Sequence, residues 1–331
     1  MKNDLTLKKF GKEKCMFIYS DDNKRYHTLN YFLRKKFKQK VFKVSLNAGM
    51  GCPNIKNGHG CIYCSNKSGD FAGNVNDDLE TQFENVKNRM IKKWPVASYI
   101  AYFQAGTNTY APLPVLKKNF ETVLKIPNVV GLSIATRSDA IKKEVYDYLS
   151  DLNKRTFLTV EIGLQTIHES TLSLINRGHT KENFETCIKE LQKRHIFTVV
   201  HIINGLPYET KEMMLETVKY LNDLKIDGLK IHMLHILKNT PLAELYEKEK
   251  FHVLTKDEYI DIVCDELTLL DPKIVIERIT GDPTKEDLVT PDWLLKKFCV
   301  LNDIDKEMKK RDIYQGSSLT HENNFRDGKP L

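Results

Sequence analysis

Along the chain, short apolar runs alternate with longer stretches whose apolar positions recur every three or four residues. Short, strongly apolar runs read as strands of a buried parallel sheet, and the second pattern reads as amphipathic helix. The runs are KVSLNAG (43–49), SYIAYFQAG (98–106), VVGLSIATR (129–137), FLTVEIGLQ (157–165), FTVVHIING (197–205) and DGLKIHMLHI (227–236). Between the first two, residues 76–94 set Leu79, Phe83, Val86, Met90 and Ile91 at helical spacing. Residues 210–225 open on Thr210, a favoured N-cap, and stripe Met214, Val218 and Leu221 along one face. Thr255 and Glu258 have the spacing of a capping box at the head of a further helix.

This alternation predicts an α/β protein, with a parallel sheet and helices packed outside it. Six strands curling partway round give a partial (β/α)6 TIM-like barrel. An open doubly wound sheet is the alternative, because periodicity does not decide closure. Either architecture puts chemistry at the C-terminal ends of the strands. The expected organisation is a basic N-terminal segment over 1–40, a core over 41–270 and a C-terminal extension over 271–331, where the alternation fades.

Composition narrows the class. The 331 residues are 41% hydrophobic and 29% charged, enough for a sizeable core under a solvated surface. No apolar run approaches the roughly 20 residues of a membrane span. The N-terminal MKNDLTLKKFGKEKC lacks the apolar stretch of a secretory signal, so a cytoplasmic protein with no membrane partner is expected. Of seven cysteines, Cys15, Cys187, Cys264 and Cys299 are scattered, a usage that suits a reducing compartment. Cys187 lies on the stripe Phe184, Ile188, Leu191 and reads as core. The net charge of +7 is uneven: residues 1–45 hold 13 Lys and Arg against 4 Asp and Glu. The block LRKKFKQKVFK (33–43), among Tyr26, Tyr31, Phe32, Phe37 and Phe42, reads as a nucleic-acid contact surface or as a solvated helix face.

The remaining three cysteines sit together in CPNIKNGHGCIYCS, where Cys52, Cys61 and Cys64 follow the first strand. Two chemistries fit the spacing. With His59 they form a closed Cys3His zinc site. Alternatively, three thiolates hold a four-iron cluster and leave one iron without a protein ligand. The position, at the rim where active-site loops belong, favours the open site. Other strand ends add candidates. Ala105, Gly106 and Thr107 expose backbone to a small polar ligand. Glu161 and Gln165 lie on or just past the fourth strand, and Arg177 has the fork that suits a carboxylate. Gly178 reads as a helix C-cap. His201 lies in the fifth strand before a glycine turn. Lys230 and His232 share one face of the sixth, where they need buried partners or contact substrate.

Together these motifs resemble the radical S-adenosylmethionine (radical SAM) superfamily over residues 41–240. More narrowly they are similar to the YhcC/YtqA-type radical SAM proteins. That match rests on LNAGMGCPN, GCIYCS, YFQAGTNTYAP, ATRSDAI, EIGLQT, INRGHT, INGLPYET and KIHMLHILKNTPL, with RITGD and LNDIDKEMKKRDIYQG near the C-terminus. The resemblance implies that Cys52, Cys61 and Cys64 ligate a [4Fe–4S] cluster, although the gap between the first two is longer than the commonest C-x3-C-x2-C. It further implies that Tyr63 lies near the adenine of SAM and that Ala105, Gly106 and Thr107 meet its methionine amino group. Gln165 and Arg177 match ribose and carboxylate contacts of related enzymes such as the oxygen-independent coproporphyrinogen oxidase. His201 replaces an acidic ribose ligand there, and Ile203 meets adenine through its backbone.

By the same resemblance, the open iron takes the amino and carboxylate groups of SAM, and reduction yields a 5′-deoxyadenosyl radical that abstracts hydrogen from substrate. A flavodoxin- or ferredoxin-type reductant is implied. The family also resembles the catalytic subunit of Elongator, whose NRGHT segment is similar to INRGHT here. No acetyltransferase domain is recognised, so acetyl chemistry is not expected. The implied substrate is tRNA, with 5-carboxymethylaminomethyl-uridine at the wobble position converted toward 5-aminomethyl-uridine. Lys230 and His232 are the candidate substrate contacts. The alternatives are a radical SAM enzyme for a small molecule such as a tetrapyrrole, and a zinc-stapled RNA-binding protein.

Overall fold

The computed structural model describes residues 19, 23–58, 60–65, 72–92 and 94–319. Cys15 and His59 lie outside them, as does most of the basic N-terminal segment. Seven parallel strands form one sheet. They are β1 (Val41–Leu46), β2 (Ser98–Phe103), β3 (Val129–Thr136), β4 (Phe157–Gln165), β5 (Phe197–Asn204), β6 (Gly228–Met233) and β8 (Val275–Arg278), paired in that order. Two short strands, β7 (Ile236–Leu237) and β9 (Leu288–Thr290), pair antiparallel beside it. The edge strands β1 and β8 are not paired with each other, yet Lys43 of β1 touches Glu277 of β8 at 2.6 Å. The sheet is therefore curled into a partial barrel with a side-chain bridge across its seam.

The expected α/β partial barrel is present, with one strand more than the hydrophobic pattern counted. Residues 271–331 do not stand wholly apart as an extension, because β8 completes the sheet. Its four residues are too short for alternation to register, and a bulge where it pairs with β6 breaks the period.

Helices cover the outer face. Those at Leu113–Leu124, Lys143–Asn153, Lys181–Gln192 and Lys211–Asp223 each bury one stripe against the strands. Leu116, Phe120, Phe184, Cys187 and Val218 share one core with the outward side chains of the sheet. Thr210 accepts from the Met213 N–H, and Thr255 and Glu258 form a complete capping box, so both helix starts lie where their sequence placed them. Among the described residues no helix is long and apolar enough to cross a membrane.

The basic block is placed at the barrel's other mouth. Most of its Lys and Arg residues lie on or just after the helix Leu29–Phe37, which stacks Phe32 and Phe37 against Phe157 and Phe197. Those two phenylalanines begin β4 and β5, so the helix closes the N-terminal end of the barrel. Arg34, Lys35, Lys36 and Lys38 are exposed there, with Lys35 over the Tyr31 ring and Lys36 over the Phe157 ring, while Tyr26 and Phe42 are buried. The block's ring contacts belong to the protein's own floor.

Candidate active site

The cysteine loop leaves β1 and is stitched to the turn after the short helix Glu169–Leu174 that follows β4. Cys52 caps a one-turn helix, accepting from the Ile55 and Lys56 N–H groups, and Cys64 N–H closes a turn on the Cys61 carbonyl at 3.0 Å. The Asn54 amide donates to the Asn176 carbonyl at 2.8 Å and lies 3.5 Å from the Cys61 sulfur. Asn176 in return donates to the Gly60 carbonyl at 2.6 Å. A Cβ on Gly178 would fall 2.4 Å from the Asn54 side-chain oxygen. Gly178 is thus glycine for this close approach, not as a helix C-cap, since the preceding helix is capped at Ile175.

Arg177 is buried across this seam. One Nη lies 3.7 Å from the Cys61 sulfur, the other donates to the Gly163 carbonyl at 2.6 Å, and its Nε has no partner among the described residues. The Cys61 thiol is pushed down to about 4, first by its hydrogen bond with Cys64, then by the Arg177 charge, against the cost of burial. The Arg177 charge thus favours the thiolate form of the sulfur it touches. Burial holds the Tyr63 phenol neutral, and it donates to the same sulfur.

A cavity of about 690 Å³ runs from this loop into the barrel, within the range of small-molecule sites. Cys52, Cys61, Tyr63, Cys64, Gly106, Thr107, Gln165, Arg177, His201, Lys230 and His232 all line it. Of the expected residues, Ala105 and Ile203 do not. Ala105 is buried beside the turn, and Ile203 packs into a separate apolar cluster with Leu172 and Leu206. Gly106 has φ +74, and a Cβ there would lie 1.9 Å from the Met50 carbonyl. The Thr107 N–H is spent on the Gly51 carbonyl at 3.0 Å. This turn therefore docks the cysteine loop as well as facing the cavity. A bulge between Gly163 and Gln165 turns Gln165 inward with φ +78, and a Cβ on Gly163 would come within 2.8 Å of both Gln165 Nε2 and Arg177 Nη2.

Below the rim, the inner face of the barrel is polar. Glu161 is fully buried and its carboxylate accepts five bonds: from Lys43 (2.7 Å) and Ser133 (2.7 Å) on one oxygen, and from Tyr102 (2.8 Å), His201 (2.9 Å) and Lys230 (2.5 Å) on the other. Glu277 holds Lys43 at 2.6 Å and Lys230 at 3.7 Å. Burial works to raise the Glu161 carboxyl, but the Lys230 and Lys43 charges and the His201 bond hold it well below the usual range. Burial keeps His201 and His232 neutral, with the Lys230 charge adding to the effect at both. The ammonium of Lys230 is thus committed to Glu161 and Tyr102, while His232 faces the cavity 5.5 Å, ring to ring, from His201.

Glu161 drew notice in the sequence without a role, and Lys43, Tyr102, Ser133 and Glu277 drew none. The available signal was a charged residue inside each of KVSL, VEIGL and VIER, where a buried strand should be apolar.

Three soft donors on one loop face the cavity beside an arginine with an unsatisfied Nε. That set fits a thiolate-bound metal cluster with an anionic ligand next to it. Among the described residues no three His, Cys, Asp or Glu side chains form a group that could hold a metal ion, but cluster thiolates bind separate irons and need not meet at a point.

A curled parallel sheet with a cysteine loop after its first strand defines the class, and family comparison agrees. The radical SAM superfamily model matches residues 46–221, and that of the Radical_SAM C-terminal domain matches residues 226–310. The chain belongs to the radical SAM superfamily and is an enzyme that uses a [4Fe–4S] cluster and SAM. Within it the chain is of the YhcC/YtqA type, being 51% identical over 305 residues to YtqA of Bacillus subtilis, which covers 91% of this chain and 94% of that protein. It is 27% identical over 157 residues, 46% of this chain and 28% of the other, to the tRNA uridine(34) acetyltransferase of Methanocaldococcus jannaschii. The archaeal Elp3 of Methanocaldococcus infernus shares the fold, with TM-score 0.64 and 18% identity over 84% of this chain and 64% of that one. Membership removes the zinc-stapled binding protein as a reading.

Proposed function

We propose that the chain modifies the wobble uridine of tRNA in the cytoplasm, converting 5-carboxymethylaminomethyl-uridine toward 5-aminomethyl-uridine. The observation that carries this reading is the joint likeness, in sequence to a tRNA uridine(34) enzyme and in fold to an Elp3. In this reading Cys52, Cys61 and Cys64 hold the cluster. When bound and reduced, cluster and SAM together supply a 5′-deoxyadenosyl radical. Arg177 offers its unsatisfied Nε to an anionic group, Gln165 offers its amide from the bulge, and Tyr63, Gly106 and Thr107 shape the same wall. Ala105 and Ile203 support that wall from behind. His201 is held neutral as a hydrogen-bonding group, and His232 faces the substrate side. A flavodoxin- or ferredoxin-type protein delivers the electron.

The test is anaerobic incubation of reconstituted protein with SAM, dithionite and tRNA from cells lacking the enzyme, followed by mass spectrometry of the nucleosides and assay of 5′-deoxyadenosine. The account expects 5-aminomethyl-uridine together with 5′-deoxyadenosine, both lost in Cys61→Ala. Binding should weaken steeply with added salt if tRNA is the substrate. Cofactor cleavage with unaltered uridine and salt-insensitive binding would return the small-molecule reading.

A further inference from the structure

The strand side of the cavity carries four charges that cancel. Lys43 and Lys230 face Glu161 and Glu277, two against two, all within one contact network. Arg278 lines the same cavity and is matched differently. Its one carboxylate partner among the described residues is Asp282, reached at 3.2 Å by a single Nη2. Asp282 is already held by Lys297 at 2.5 Å. Two cations share one carboxylate, so this corner keeps an unmatched positive charge. Nε and Nη1 of Arg278 make no hydrogen bond to any described residue, and the side chain is 38% exposed.

The neighbouring strand adds a second open group. Arg278 pairs in register with Lys230 of β6, and His232 lies two residues further along the same face. His232 lines the cavity, makes no hydrogen bond to a described residue, and is close enough to feel the Arg278 charge. Lys230 has no such freedom, since its ammonium is spent on Glu161 and Tyr102.

We infer that Arg278, with His232 beside it, forms an anion subsite that holds the carboxylate of the substrate side chain and selects acidic substrates. This rests on the wobble-uridine reading, whose carboxymethyl group is the anion concerned. Nη2 of Arg278 gives one of its two hydrogens to Asp282, so the other, together with the Nε or Nη1 hydrogen on the same edge, can meet a carboxylate through two parallel bonds, which an ammonium cannot do. A backbone phosphate shares that chemistry. The carboxylate is favoured because the subsite belongs to the same cavity as the cysteine wall, so an anion held there brings its own carbon chain into the reacting space.

The test compares binding of the nucleoside 5-carboxymethylaminomethyluridine and its methyl ester to anaerobically reconstituted full-length protein by calorimetry. Wild type should bind the acid about ten- to a hundredfold more tightly than the ester, the range of a charge-assisted hydrogen bond. Arg278→Met should lose that preference while holding the ester as wild type does, and Arg278→Lys should keep part of it. Cluster absorbance and circular dichroism verify that each variant is folded. Equal binding of acid and ester by wild type, or an undiminished preference in Arg278→Met, overturns the subsite. So does a defect seen only with tRNA and equal for acid and ester forms, which marks a phosphate contact. The preference needs no turnover. A wild type that prefers the acid but leaves tRNA unmodified therefore sinks the wobble reading and leaves the subsite standing.

Discussion

Glu161 is the residue on which the barrel interior turns. A fully buried carboxylate is costly unless its charge and lone pairs are all met, and here five donors from five strands meet them. Replacing it with glutamine leaves Lys43 and Lys230 facing a neutral amide. Glu161→Gln should therefore lose about 3–5 kcal/mol, the cost of breaking a buried ion pair, read as a lower denaturation midpoint. The sign with pH follows from its depressed pKa. The stabilisation is present above the unfolded value of about 4.3 and is lost as pH falls through the folded value, so the wild-type advantage should shrink in acid. An unchanged midpoint would contradict this. The sequence makes the charges in KVSL, VEIGL and VIER visible as exceptions. Their partnership is not visible, because it depends on how seven strands, with contacts up to 234 residues apart, register round the barrel.

At the scale of elements, the six long strands and the capped helices were legible because their periodicity runs over enough residues to be counted. Strand β8 was not, being four residues long and bulged. The turn after β2 was legible in composition but only partly in purpose. Gly106 serves first to let the cysteine loop approach, with Met50 sitting where a side chain would be. Gly106→Ala should therefore displace that loop, and reconstituted protein should hold substoichiometric iron and form little 5′-deoxyadenosine. Full iron loading would show that the contact is dispensable.

The helix Lys256–Leu269 packs Glu266 against Asn204 of β5, fully buried with one carboxylate oxygen unpartnered among the described residues. Burial pushes its carboxyl up to about 8. The native state then binds this proton more tightly than the unfolded chain does. Its contribution is complete below the unfolded value of about 4.3 and is lost as pH rises to about 8. Glu266→Gln, which keeps an acceptor for Asn204, should flatten the fall in stability over that window. An equally steep fall in the variant would assign it to other groups.

The whole molecule is a sheet curled far enough for its edges to meet through Lys43 and Glu277. One cavity thereby joins a cysteine wall at the rim to a strand wall below it. Fold class and cysteine loop were legible because motifs in fixed order carry them. The place of the basic block was not. That block, read as a nucleic-acid contact surface or as a solvated helix face, lies across the N-terminal mouth, where burying its aromatic face closes the floor. The central claim is that the uridine side chain reacts inside this cavity, next to the cysteine wall. Turnover of tRNA whose carboxymethylaminomethyl group is deuterated tests that most directly. Mass spectrometry should find deuterium in the 5′-deoxyadenosine formed, whereas 5′-deoxyadenosine free of deuterium beside a converted uridine would contradict it.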